Sequence, residues 1–229
     1  MPNINQVRRV LLKAPPVAAV GAFDLTYQDA KTSAAGATPL TYSGYTLASG
    51  ATRTIAVLLF QGGVTPGIAS MTINGVACTQ IAGALANAGG DQSADMWISN
   101  SAVTGGTIDV VVTYNSATSY HSAVALYNVT TATPAFNAAD SSINTSSSPS
   151  ITVGPINIPT GGQAVFGAYE YFGATATITS GNATYDATPA SGGITFYFGR
   201  TTTTGASVSV TLTYSANDLG PATFVSWGP

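Results

Sequence analysis

Few residues in this 229-residue chain could do chemistry, and they are scattered. His121 is the one histidine, Cys78 the one cysteine and Glu170 the one glutamate. A Ser-His-Asp site would have to use His121. That residue opens a strand-like stretch beside Tyr120, with no Gly-x-Ser-x-Gly elbow nearby to raise a serine toward it. A zinc site needs three or four His, Cys or carboxylate ligands, and one His with one Cys cannot supply it. Glycoside hydrolysis needs two carboxylates facing one cleft. Glu170 lies inside Tyr169-Glu170-Tyr171, Asp91 and Asp95 share the loop-like stretch Gly89–Asp95, and Asp186 and Asp218 fall in turns. Asp91 and Asp95 could hold calcium with loop carbonyls, but plain turn chemistry is the favoured reading. No helix is expected, so no glycine-rich loop opens a helix to cradle a phosphate. The expectation is a chain without catalytic residues, cofactor or metal.

Aromatic residues offer a different chemistry. Eleven tyrosines and two tryptophans accompany few charges. Sugar rings stack on exposed aromatic faces, so Tyr120, Tyr169, Tyr171 and Tyr185 are candidates for a glycan platform, with Glu170 accepting from a ligand hydroxyl. The competing reading is that alternating tyrosines line the core and keep their hydroxyls at its edge. Cys78, between Ala77 and Thr79, reads as a small buried filler. One cysteine forms no intrachain disulfide, so burial and sheet hydrogen bonds must hold the fold.

Charge is sparse and uneven. Charged residues make up 7% of the chain, hydrophobic ones 45%, against about 25% charged in an average soluble domain. A core is expected and global disorder is not. Residues 1–31 carry Arg8, Arg9, Lys13 and Lys31 against Asp24 and Asp29, a net +2; the remainder nets −5. An acidic body with two arginines has no basic patch for nucleic acid. Arg8 to Lys13 has the look of a twin-arginine export motif, but Pro15-Pro16 spoils the apolar helix that should follow. No apolar run reaches the 18 residues of a membrane-spanning helix. Residues 1–22 are therefore expected to be an extended arm, its Arg8, Arg9 and Lys13 forming charged hydrogen bonds and its Ile4, Val10, Leu11 and Leu12 filling apolar grooves on a partner.

The elements that must carry these residues read as strands. Val-, Ile-, Thr-, Tyr- and Phe-rich runs bounded by Gly, Pro, Asn and Ser recur at 53–60, 70–73, 76–81, 94–99, 107–114 and 121–127. They recur again at 150–156, 163–171, 174–179, 193–199, 207–214 and 222–227. Residues 31–41 read as a loop and 130–150 as a link. Asn74-Gly75 predicts a type I′ hairpin, because both central residues need positive φ. Ile108, Val110, Val112 and Tyr114 alternate on one face, as do Val208, Val210, Leu212 and Tyr214.

The two series are copies. Residues 55–60 match 163–169, 71–79 match 176–185, 95–100 match 195–200, 106–117 match 206–217 and 124–129 match 223–228. The expected fold is all-β: a jelly-roll-like, two-sheet antiparallel β-sandwich with internal duplication, spanning 23–229, its related halves at about 54–129 and 163–228. Two separate small domains are the alternative.

The order of these blocks carries a resemblance. Ala56–Leu59, Met71–Ile81, Met96-Trp97-Ile98, Thr104–Tyr114 and Val124–Pro134 together resemble a β-sandwich module of bacterial surface proteins and of phage and gene-transfer-agent structural proteins. The likeness covers roughly residues 50–175 and is a pattern of strands and turns, so no catalytic residue is carried over from it. It implies a protein that binds, displays or decorates: a non-enzymatic virion component such as a capsid decoration, head spike or fibre. Such a protein is assembled in the host cytoplasm, carried on the extracellular particle and pinned by its arm to a major capsid, connector or fibre protein. Capsid symmetry would suit a homo-oligomer. Two other readings remain open: a carbohydrate-binding or adhesion module on a virion or bacterial surface, contacting host glycan, and a polysaccharide depolymerase.

Overall fold

The computed structural model describes residues 23–34, 36–62, 67–81, 86–87, 92–115, 120–131, 135–170 and 175–228. The basic arm lies outside these residues. The first half contains β1 (Leu25–Ser33), β2 (Leu40–Leu47), β3 (Arg53–Gly62), β4 (Ile68–Ile73), β5 (Val76–Gln80), β6 (Ala86–Asn87), β7 (Gln92–Ser99), β8 (Gly106–Tyr114) and β9 (Tyr120–Val129). The second contains β10 (Ala135–Ile158), β11 (Gln163–Glu170), β12 (Ala176–Ser180), β13 (Ala183–Ala187), β14 (Ala190–Ser191), β15 (Ile194–Thr201) and β16 (Gly205–Gly228). Every strand pairing is antiparallel. The all-β antiparallel sandwich expected from the pattern is what the chain adopts.

Each half follows jelly-roll order. In the first, β1-β9-β3-β7 forms one layer and β2-β8-β4 the other, with β5 pairing both β4 and β7 at the corner. In the second, two strands of 24 residues each serve both layers. Ala135–Asn144 of β10 pairs with Gly220–Gly228 of β16 beside β11, β15 and β13. Ser150–Ile158 pairs with the start of β16, which also pairs β12. β10 thus does in one strand what β1 and β2 do in two. Of residues 130–150, expected to be a link, 135–150 belong to β10, and of the loop expected at 31–41, residues 31–33 belong to β1 and 40–41 to β2.

Local sequence explains the turns. Thr72 opposite Ala77 and Ile73 opposite Val76 close β4 and β5 around Asn74-Gly75, with φ of 49° and 78°. The second half repeats the device at Gly181-Asn182, with φ of 88° and 44°. Asparagine tolerates this left-handed region and glycine has no side chain to clash there.

Burial divides the molecule into three apolar layers. Ile108, Val110, Val112 and Tyr114 of β8 face Ala56, Leu58 and Phe60 of β3 inside the first roll. Val208, Val210, Leu212 and Tyr214 occupy the matching places in the second, against Phe166 and Phe224. The third layer lies between the rolls. Val57, Leu59, Met96, Ala125 and Tyr127 pack against Val165, Tyr169, Phe196, Phe198 and Trp227, all fully buried. The inner strands are therefore buried on both faces, and their sequences run apolar instead of alternating. A large apolar side chain sealed this way contributes roughly 1.5–3 kcal/mol relative to exposure, so this layer binds the halves firmly. Glycine is required at 167, where a Cβ would stand 2.5 Å from Val57 Cγ1.

Candidate functional site

The seam between the rolls is apolar along its length and turns polar at one end. On the face that β11 and β15 turn toward the first roll, Val165 and Phe198 give way to Gln163 and to Arg200 and Thr202. Thr184 of β13 lies beside Arg200 in the ladder. Across the gap, the start of β1 supplies Asp24 and Thr26. Together they bound an open cleft of about 270 Å³. Phe23, the neighbour of Asp24 in sequence, stacks on Trp227 in the apolar seam, ring centroids 6.3 Å apart.

Arg200 holds this corner together. Its Nε and Nη2 donate to the Asp186 carboxylate at 2.8–3.1 Å, and its Nη1 donates to the Leu25 carbonyl at 2.6 Å. The first contact is within the second roll and the second crosses the seam. Burial works against the guanidinium charge, but Asp186 outweighs it and the pKa rises. Next to the pair, Tyr27 meets Tyr127 edge-on at 5.6 Å. Burial, then Asp29 and Asp186, push the Tyr27 phenol up to about 12, so both phenols stay neutral near pH 7 and serve as packing.

The residues singled out from sequence are not brought together. Tyr169 is fully buried in the seam against Phe196, centroids 5.7 Å apart, so it offers no face to a sugar. Glu170, next along the strand, points the other way into the second roll, and its Oε1 accepts from the Thr195 amide at 3.0 Å. Tyr185 leans on Phe166 and Tyr197, and its hydroxyl is buried. The burial of Tyr169 and Glu170 takes these two residues out of the expected glycan platform, whereas Tyr185 is half-buried with its ring against its neighbours. The backbone of Tyr120 pairs with Gly62 at the start of β9. Tyr171 lies outside the described residues, as do Ile4, Arg8, Arg9, Val10, Leu11, Leu12 and Lys13.

The remaining candidates are also accounted for. His121 Nδ1 lies 3.1 Å from Ser191 Oγ on β14, a contact across the seam. A serine beside an imidazole has the form of a nucleophile and base, yet among the described residues no carboxylate orients the ring. Cys78 is half-buried, and burial pushes its thiol up to about 12, away from the reactive thiolate. Asp95 is not in a loop but in β7, fully buried inside the first roll. Its Oδ1 accepts from Trp97 Nε1 at 2.6 Å, while Oδ2 has no partner. Burial lifts this carboxyl to about 7, against the smaller opposing pull of Trp97 and Gln80. Among the described residues no three His, Cys, Asp or Glu side chains gather as a metal site, and no helix is long and apolar enough to cross a membrane.

Sequence reasoning missed the cleft because its residues come from four separated stretches. One signal was available: Arg200 is the sole cation in the second half, closing an otherwise apolar Phe196–Gly199 run. No family model matches the chain, and no curated protein or solved structure matches it.

Proposed function

We propose that this chain is a non-enzymatic structural protein of a bacteriophage particle, a capsid decoration, head spike or fibre component attached through its N-terminal arm. The observation that carries the reading is the back-to-back pair of jelly rolls, closed by burial on both faces of the inner sheets. Such a body, with one cysteine and so no intrachain disulfide, is held by burial and suits display on a surface. Jelly rolls recur in viral shells and in lectins; that is an analogy of fold, and function rests on the site. Two further features support display. The described surface exposes one large apolar side chain, Phe136. The carboxylates of Asp95 and Glu170 sit inside the rolls, out of reach of substrate.

The arm supplies the attachment. A basic, partly apolar segment gains contact area when it orders on an acidic capsid or connector, at a cost in chain entropy. The test is deletion of residues 2–22, followed by density-gradient purification of particles and mass spectrometry of their protein content. The truncated chain should fold with unchanged thermal stability and be missing from particles that carry the full chain. Particles that retain the truncated chain at normal copy number defeat the proposal.

A further inference from the structure

We propose that the cleft at the polar end of the seam, floored by Arg200 and Thr184 and walled by Asp24 and Thr26, binds a neutral sugar ring through its hydroxyls. The inference stands whether or not the chain is part of a particle.

Three observations carry it. First, Arg200 is positioned before any ligand arrives. A guanidinium has five N–H donors in a fixed plane; three are taken by Asp186 and the Leu25 carbonyl. Two donors remain on a side chain that is 31% exposed and lines the cleft. Held from both rolls, it loses little further freedom on binding.

Second, the charges select against anions. Among the described residues Asp24 and Asp186 outnumber Arg200, which leaves one net negative charge at the corner. A bare arginine would invite phosphate or a carboxylate. Here Asp186 occupies the guanidinium fork, and Asp24 faces the same space. A neutral polyol meets no repulsion, and Asp24 can accept from its hydroxyls.

Third, the rest of the lining consists of groups that both donate and accept. Thr26, Thr184, Thr202 and Asn182 are exposed, and Gln163 is half-buried. Hydroxyls and amides of this kind match vicinal sugar hydroxyls, which also do both. A volume of about 270 Å³ lies at the small end of ligand pockets, ~300 Å³ and upward, so a single ring fits and a folded chain does not. Among the described residues no aromatic face lines the cleft, so hydrogen bonds carry the affinity, which falls near the millimolar range.

Saturation-transfer NMR on the full chain tests this with glucose, galactose, mannose and N-acetylglucosamine, each at about 10 mM, and with glucuronate as the anionic control. At least one neutral sugar should receive transfer, and glucuronate should receive less. Thr184→Val/Thr202→Val keeps shape and removes two hydroxyls; it should weaken binding about tenfold at unchanged thermal stability. Asp24→Asn is a second exposed variant should the first lose stability, and it should relieve the exclusion of glucuronate. The proposal is overturned if no neutral sugar receives transfer, if glucuronate equals or exceeds them, or if both variants bind as the parent does.

Discussion

Asp95 makes the stability of this protein depend on pH in an unusual direction. Its carboxyl is fully buried, with one oxygen bonded to Trp97 and the other unpartnered, and its pKa rises from 3.8 to about 7. Between these values the folded chain keeps the proton that the unfolded chain has released. The contribution of Asp95 to stability is therefore fully present below about pH 4, is lost as pH climbs toward 7, and levels off above that, where both states are ionised. A shift of this size corresponds to about 4 kcal/mol across the window, at 1.36 kcal/mol per pH unit. Asp95→Asn is nearly isosteric, keeps an acceptor for Trp97 Nε1 and cannot ionise. Urea denaturation of parent and variant at half-unit steps from pH 4 to 8, followed by tryptophan fluorescence, isolates the carboxyl, because other titrating groups cancel in the difference. The two proteins should agree within about 1 kcal/mol at pH 4, with the variant several kcal/mol more stable at pH 8. A difference that stays constant across the range, or a variant less stable at pH 8, refutes the account of Asp95 as a protonated buried acid.

Two more outcomes follow from the packing. Gly167→Ala places a methyl 2.5 Å from Val57 Cγ1 and 3.2 Å from Leu59 Cδ2 across the seam; thermal unfolding should show a loss of about 1–3 kcal/mol, partly recovered in Gly167→Ala/Val57→Ala. Cys78, its thiol pushed up to about 12 by burial, should resist iodoacetamide at pH 8 in the folded protein and react once urea unfolds it, as read by intact mass.

The strands with one dry and one wet face were legible. β8 alternates Ile108, Val110, Val112 and Tyr114 with exposed or half-exposed partners, and the Asn74-Gly75 turn announces its own geometry. The duplication was legible too, since matched interior positions keep matched residue types. The inner strands were harder. Tyr169 and Glu170 point to opposite faces of β11, and in an isolated sandwich one would be wet; here both faces are covered, so neither is. Residues 135–144 escaped because Ala, Asn, Ser and Asp carry little strand propensity. They form a strand since β16 offers them a ladder from Phe136–Trp227 to Asn144–Gly220. Asp95 was misplaced because an acid in sequence suggests water, whereas the pairing with Leu58 and the bond to Trp97 set it in the core. Beyond the lone cation Arg200 the cleft left no trace in the sequence, as only the ladder between β13 and β15 and the arrival of β1 bring Asp24, Thr184 and Arg200 within one span.

The wall of Val57, Leu59 and Tyr127 meeting Val165, Phe198 and Trp227 has a consequence for synthesis and lineage. Either roll made alone would emerge from the ribosome with an oily flank and would seek a twin or precipitate. Tethering the twins in one polypeptide keeps each at high effective concentration beside its mate, so closure no longer depends on how much protein the cell holds. It also frees the outward flanks to drift apart in sequence, since each roll answers only to its fixed neighbour.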